Sequence, residues 1–178
     1  MRNVLLQLMK IGIISDTHGY LDPLVLKYFE GCDEIWHAGD VGNEDVIYEL
    51  EKVAPAVVVY GNIDGGNLRR NFPLHQRLIR EGMDIWMTHI GGYPKRYDKR
   101  IRDMILSNPP AIFICGHSHI VKVLRDEDLR LIHINPGAAG RYGFHKVRTI
   151  VRMELKNKKI STLEVIELGP RNQKVKTT

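Results

Sequence analysis

The chain has 178 residues, 43% of them hydrophobic and 26% charged, a composition that fits one folded unit of ordinary size and excludes a disordered, collagen-like or coiled-coil chain. Lysine and arginine outnumber aspartate and glutamate by 26 to 21, a formal net charge of +5 that is concentrated at one end: residues 141–178 hold 10 basic and 3 acidic groups. No apolar run reaches the length of a membrane span, the run Val4-Leu5-Leu6-Gln7-Leu8-Met9 has no small-residue cleavage site after it, and two cysteines, Cys32 and Cys115, are too few for a disulfide framework. A cytoplasmic protein with no membrane contact is expected, both thiols buried and reduced. The basic C-terminal segment is either a footprint for a polyanion or a set of charges protecting outer strands; its lysines and arginines past 146 have no aromatics between them, which favours the second.

From Lys10 the pattern alternates strand and helix. Residues 11–15 form a short apolar run of the kind buried on both faces, followed by Asp22-Pro23, an N-cap with proline at the first helical position, and a helix closed by Gly31. A second strand over 34–38, a helix over 43–53 and a third strand over 56–60 complete a βαβαβ unit, which implies parallel strands with helices outside. Glu81-Gly82 then reads as the turn of a hairpin between 75–80 and 83–88, and a basic helix over 98–107 stops before Asn108-Pro109-Pro110. A strand over 111–115 and two further hairpins, 121–125 with 129–134 and 147–155 with 160–168, finish the chain. The expected fold class is α/β, with two packed mixed β-sheets flanked by helices. Residues 9–168 are expected to form a single domain, 1–8 an N-terminal extension and 169–178 a flexible basic tail.

The metal-capable side chains cluster at one kind of place. Asp16 and His18 follow the first strand, Asp40 the second, Asn62 and Asp64 the third, His89 the hairpin, and His117 and His119 the strand ending at Cys115. Each lies just past the carboxyl end of a predicted strand, where ligand crevices open in α/β sheets, so residues distant in sequence can converge. Any one of these motifs is weak, since Asp-x-His is common and Asn or Asp beside glycine usually only makes a turn.

Together, Asp16-Thr17-His18-Gly19, Gly39-Asp40, Gly61-Asn62-Ile63-Asp64, His89 and Gly116-His117-Ser118-His119 resemble, in this order, the calcineurin-like metallophosphoesterase superfamily, and most of all its small single-domain prokaryotic phosphodiesterases. The resemblance runs from Met9 to Leu155 and includes Asn135-Pro136-Gly137. It implies a four-layer α/β/β/α sandwich and two divalent transition-metal ions, Mn²⁺ first with Fe, Ni²⁺ or Zn²⁺ as alternatives. Asp16, His18 and His119 would hold one ion, Asn62, His89 and His117 the other, and Asp40 would bridge them, with Asp40, Asn62 and His89 as the catalytic group. Mixed imidazole, carboxylate and carboxamide ligands suit such metals better than Ca²⁺ or Mg²⁺.

The implied reaction is hydrolysis of a small phosphodiester by a bridging hydroxide, with Asp64 and His37 supporting the ligands from behind. Many members of the superfamily carry a histidine directly after Gly-Asn that protonates the leaving oxygen; here the residue is Ile63, which predicts a preference for good leaving groups unless His75 or His145 substitutes. The gap between Asn62 and His89 leaves no room for a lid domain, and Arg69, Arg70 and the run from Lys95 to Arg100 are candidates for the rim. The alternatives are a non-catalytic binding scaffold of the same fold, which predicts lost ligands, and a nuclease, for which nucleic acid would be the partner. Association into a homo-oligomer is a further expectation.

Overall fold

In the computed structural model, which describes residues 8–172, the first half of the chain forms β1 (Met9–Ile14), α1 (Pro23–Phe29), β2 (Glu34–His37), α2 (Glu44–Glu51) and β3 (Ala56–Val58). The second half adds α3 (Gly66–Asn71), the hairpin of β4 (His75–Arg80) and β5 (Met83–Thr88), and a short hairpin of β6 (Gly92–Tyr93) and β7 (Arg96–Tyr97). It continues with α4 (Arg102–Ser107), β8 (Ile112–Ile114), β9 (Lys122–Asp126), β10 (Leu131–Asn135), β11 (Val147–Lys156) and β12 (Lys159–Pro170). The helix starts follow local chemistry: Asp22 accepts the Leu24 amide at 3.0 Å with Pro23 next to it, and Asn43 accepts the Asp45 amide at 3.0 Å.

One sheet has the order β12-β11-β1-β2-β3, the other β4-β5-β8-β10-β9. In the first, β1, β2 and β3 are parallel and β11 runs antiparallel to β1; in the second, β5, β8 and β10 are parallel, with β4 and β9 antiparallel at the edges. The period-two alternation of each strand divides the core. Ile11, Ile13 and Trp36 meet Ile85, Met87, Ile112 and Ile114 between the sheets. Ile14, Ile35 and Ile150 pack under Val25 and Phe29 of α1 and Ile47 and Leu50 of α2, while Trp86, Phe113 and Leu131 pack under Ile105 of α4. This is the expected four-layer arrangement. Gly12 is the one position of β1 where α1 leaves no room, since a Cβ there would lie 2.6 Å from the Phe29 ring.

Several boundaries differ from expectation. β12 continues through Pro170, with Gly169 opposite Arg148, Pro170 opposite Val147 and the Arg171 amide bonded to the Lys146 carbonyl at 3.0 Å. The expected tail from 169 therefore begins as paired strand; residues 173–178 and 1–7, which hold the rest of that tail and nearly all of the expected N-terminal extension, lie outside the described residues. The basic helix is shorter than expected because the Asp98 carboxylate takes the Arg100 amide at 2.9 Å and holds residues 98–101 as a turn. Cys115 is buried, but Cys32 is only partly so. Three of the C-terminal basic groups have partners within the chain: Arg148 pairs with Asp22, Arg152 with Glu164 at the surface, and Arg141 lies 4.0 Å over the Tyr20 ring. Among the described residues no helix is long and apolar enough to cross a membrane.

Candidate metal centre

The carboxyl ends of β1, β2, β3, β5 and β8 point to one face of the molecule, and the loops leaving them are stitched together by main-chain bonds. The Asp16 amide donates to the Gly39 carbonyl at 3.0 Å, that of His18 to the Asp40 carbonyl at 3.0 Å, and that of Gly116 to the His89 carbonyl at 2.9 Å. Asp16, His18, Asp40, His117 and His119 all adopt left-handed backbone conformations, with φ of +54°, +49°, +53°, +68° and +56°. Such conformations cost on the order of 1–3 kcal/mol each and persist where the surroundings impose them. Aspartate and histidine tolerate them better than most residues, which is one reason these types stand here.

The side chains converge in two groups. Asp16, His18 and His119 place ligand atoms within 4.8 Å of one another, and so do Asp40, His89 and His117. The groups abut: His18 Nε2 of the first is 3.8 Å from Asp40 Oδ2 of the second, and His89 Nε2 of the second is 3.9 Å from Asp16 Oδ1 of the first. His119 Nε2 lies 3.1 Å from Asp16 Oδ1, and His89 Nε2 lies 3.2 Å from Asp40 Oδ1. Asp16 Oδ1 and His89 Nε2 are both buried without a hydrogen-bond partner. Two orphaned lone-pair atoms facing a cluster of carboxylates and imidazoles suit a divalent cation, which would satisfy both. Asn62 is exposed and lines one depression with His89, and the amide of the next residue, Ile63, donates to Asp40 Oδ1 at 3.0 Å.

Neighbouring residues fix the orientation of these groups. His89 Nδ1 lies 2.8 Å from the Ala38 carbonyl, which holds its proton there and leaves Nε2 as the ligating atom. Asp16 Oδ2 accepts from Ser15 Oγ at 2.6 Å and from the His117 amide at 3.1 Å. Burial lowers the pKa of His18 and His117, which keeps both neutral and able to ligate, and the neighbouring carboxylates only partly oppose it. At His89 burial acts in the same direction, but the Asp40 and Asp16 carboxylates outweigh it and the pKa is raised.

Asp64 and His37 support the centre without facing it. Asp64 accepts three amides, from Val41 at 3.1 Å and from Gly42 and Gly61 at 2.8 Å, and so clamps the loop after β2 to the loop after β3. It orients loops; no hydrogen bond joins it to a histidine. His37 is fully buried, bonded through Nε2 to Thr17 Oγ1 at 2.9 Å and accepting the Gly39 amide at Nδ1, and burial pushes its pKa down to about 4. It is a neutral structural histidine. His75 bonds Thr88 Oγ1 at 2.9 Å, and His145 Nε2 lies 3.1 Å from the Gly140 carbonyl with its ring 5.3 Å from that of His119.

Other residues of the centre have roles that the sequence does not spell out, although Asn135 belongs to the Asn135-Pro136-Gly137 motif of the resemblance. Ser15 differs from any strand-end serine only through its bond to Asp16. Asn135 donates to the Gly116 carbonyl at 2.8 Å and to Ser118 Oγ at 3.1 Å, fixing the loop that bears His117 and His119. Tyr142, its ring 5.1 Å from His18, sits in a stretch that reads as plain loop.

The calcineurin-like phosphoesterase superfamily domain matches residues 9–158. A probable metallophosphoesterase of Methanothermobacter thermautotrophicus is 32% identical over 139 residues, which cover 73% of this chain and 77% of that protein. A phosphodiesterase of Methanocaldococcus jannaschii is 29% identical over 150 residues, covering 75% and 86% of the two chains. Among solved structures, a novel archaeal phosphodiesterase superposes with a TM-score of 0.72 at 24% identity, over 90% of this chain and all of the other. With its sandwich fold, its two metal-capable groups at the strand ends and a family match over most of its length, the chain belongs to the calcineurin-like phosphoesterase superfamily.

Proposed function

We propose that the chain is a phosphodiesterase with a dinuclear metal centre acting on small diesters. The observation that carries this reading is the position of Asp40: its Oδ1 faces His89 at 3.2 Å and its Oδ2 faces His18 at 3.8 Å, one oxygen toward each group. Asp16, His18 and His119 would hold one ion, His89, His117 and Asn62 the other, and Asp40 would touch both. Mn²⁺ is the first candidate, with Fe, Ni²⁺ and Zn²⁺ next, since the donor set mixes nitrogen and oxygen. When bound, a pair of such ions supplies an activated water and the positive charge that stabilises an in-line displacement at phosphorus.

The protein's own part is geometric. Ala38 and Asp16 hold His89 and the His117 loop in place, Asp64 fixes the Asp40 and Asn62 loops against each other, and Asn135 secures the loop of His117 and His119. Neither Ser15 nor Cys115 is poised as a covalent nucleophile: Ser15 Oγ is buried and bonded to Asp16, and burial raises the Cys115 thiol to about 12. Retention of every expected ligand speaks against a bare scaffold, and the burial of Arg148 against Asp22 withdraws that basic group from any nucleic-acid surface.

The test is elemental analysis of the Mn²⁺-reconstituted chain together with hydrolysis of bis(4-nitrophenyl) phosphate. About two ions per chain and metal-dependent turnover are expected. Asp40→Asn should weaken both ions and remove most activity, whereas His119→Ala should weaken mainly one. Saturation at a single ion, or near-normal turnover by Asp40→Asn, would refute the shared-ligand role.

A further inference from the structure

Beside Asn62 and His89 the surface falls into a depression of about 310 Å³, at the small end of the range for ligand pockets. We propose that this depression is the subsite for one ester arm of the diester and that it selects a planar aromatic arm, with Tyr60 and Arg69 setting the preference. The inference deepens the phosphodiesterase reading and rests on it.

Position comes first. Asn62 and His89 form the inner edge of the depression, so a phosphoryl group lying against the second metal group directs one of its ester oxygens into it. The walls come from Tyr60, Leu74 and Ile101. Leu74 is 44% exposed at the mouth, an apolar side chain that a bound group would cover. An ester arm entering here leaves water for a mostly apolar surface while its phosphate stays with the polar ligands.

Arg69 supplies the selectivity. Its guanidinium carbon lies 5.0 Å from the centre of the Tyr60 ring, while Nε donates to the Asp64 carbonyl at 2.5 Å and Nη2 to the Asn62 carbonyl at 3.3 Å. Both acceptors are neutral main-chain oxygens, and no carboxylate pairs with Arg69 among the described residues, so its charge remains available to an anionic substrate. The fork is fixed in place before any ligand arrives, which reduces the entropy lost on stacking. An aromatic arm can stack on this cation and on the tyrosine beside it, interactions that add to area burial. An aliphatic arm of equal size gains the burial alone.

The experiment isolates planarity. Phenylphosphonate, cyclohexylphosphonate and methylphosphonate carry the same anion on arms that are planar and apolar, apolar but not planar, or nearly absent; each is titrated calorimetrically into the full chain reconstituted with Mn²⁺. Phenylphosphonate is expected to bind about tenfold tighter than cyclohexylphosphonate. Arg69→Ala and Arg69→Lys should both remove most of that ratio, the lysine because it keeps the charge without the plane. Leu74→Ser, which leaves the Asn62 loop alone, should weaken both larger probes alike and spare methylphosphonate. Equal binding of the phenyl and cyclohexyl probes, or an unchanged ratio in both Arg69 variants, overturns the proposal. Preference without hydrolysis of bis(4-nitrophenyl) phosphate would sink the catalytic reading and keep the subsite; hydrolysis without preference would do the reverse.

Discussion

Asp22 and Arg148, 126 positions apart in the chain, meet at 2.6 Å with the arginine side chain 1% exposed. Asp22 is also the N-cap of α1, and Arg148 donates to the carbonyls of Leu168 and Pro170, so one ion pair joins the helix after the Asp16–His18 loop to the outermost hairpin. The Tyr20 ring lies 5.7 Å from this arginine and 4.0 Å from Arg141, which ties the same loop to the segment bearing Tyr142 and His145. The outer hairpin thereby braces the first metal group from behind.

This pair makes a prediction about acid stability. Burial acts to raise the Asp22 pKa, but the Leu24 amide and the Arg148 guanidinium outweigh it and hold the carboxyl below its ordinary value. A carboxylate with a lowered folded-state pKa contributes stability that is complete above the ordinary carboxylate range, about pH 4, and is lost as pH falls through the folded value. Asp22→Asn keeps an acceptor for the helix cap and removes the charge opposite a buried guanidinium. It should cost about 3 kcal/mol at pH 7, and the gap to the parent should narrow below pH 4 in thermal or urea unfolding. An equal gap at pH 3 and pH 7 would mean that the charge of Asp22 contributes nothing.

The triple acceptor role of Asp64 predicts an effect on metal binding through residues that Asp64 does not touch. An asparagine has one carbonyl oxygen where the carboxylate has two, and its amide group would face the Val41, Gly42 or Gly61 amides as a second donor. Asp64→Asn should lower metal affinity or turnover by about 10–100-fold and stability by about 1–3 kcal/mol. Calorimetric Mn²⁺ titration with urea unfolding separates the two effects. Unchanged affinity in a folded variant would show that the two loops hold their positions without the clamp.

Gly39 offers a test aimed at the second group through His89, with the first group reached only through the bond from the Asp16 amide to the Gly39 carbonyl. Its φ is +89°, and a Cβ would come within 2.7 Å of His89 Cβ and 2.8 Å of the ring. Gly39→Ala must therefore strain the backbone and displace His89 together. The Mn²⁺-reconstituted variant should lose about one ion of two and most activity, while Asp16, His18 and His119 keep theirs. Full occupancy of both positions would show that the loop after β2 has more freedom than its hydrogen bonds imply.

How far the sequence spoke for itself depended on the range of the interactions. β1, β2 and β3 were legible because each is a short apolar run and the Asp22-Pro23 and Asn43 caps mark the helices between them. The positions of Asp16 and Asp40 at strand ends followed from that alternation, and that of His89 from the hairpin turn at Glu81-Gly82. α3 was hidden because Gly65-Gly66 reads as a turn and the helix has six residues. The β6–β7 hairpin was hidden because its strands are two residues each. The parallel pairing of β5 with β8 and of β8 with β10 is set by packing between segments far apart in sequence, which periodicity does not encode. The supporting bonds of Ser15 and Asn135 were invisible for the same reason: a serine or asparagine acquires its role only from the partner that the fold brings to it.

The last prediction concerns Ile63, which stands where the family resemblance implies a proton-donating histidine. Its amide holds Asp40 Oδ1, and its side chain is 47% exposed, so the side chain can be replaced without opening a cavity in the core. An aryl diester departs as a weakly basic phenolate and needs little help, whereas an alkyl ester expels an alkoxide, for which a positioned acid contributes about 10²–10⁴-fold. Ile63→His should therefore raise the ratio of methyl-ester to 4-nitrophenyl-ester hydrolysis at least tenfold while leaving stability within about 0.5 kcal/mol of the parent. Two existing histidines bear on the outcome. His75 lines the same depression as Asn62, and the His145 ring lies 5.3 Å from that of His119. If the ratio does not move in the folded variant, Ile63→His should be repeated in a His75→Gln and then a His145→Gln background. A ratio that falls when either histidine is removed would identify that residue as the acid already in place, and a ratio that stays constant throughout would show that proton delivery does not limit the reaction.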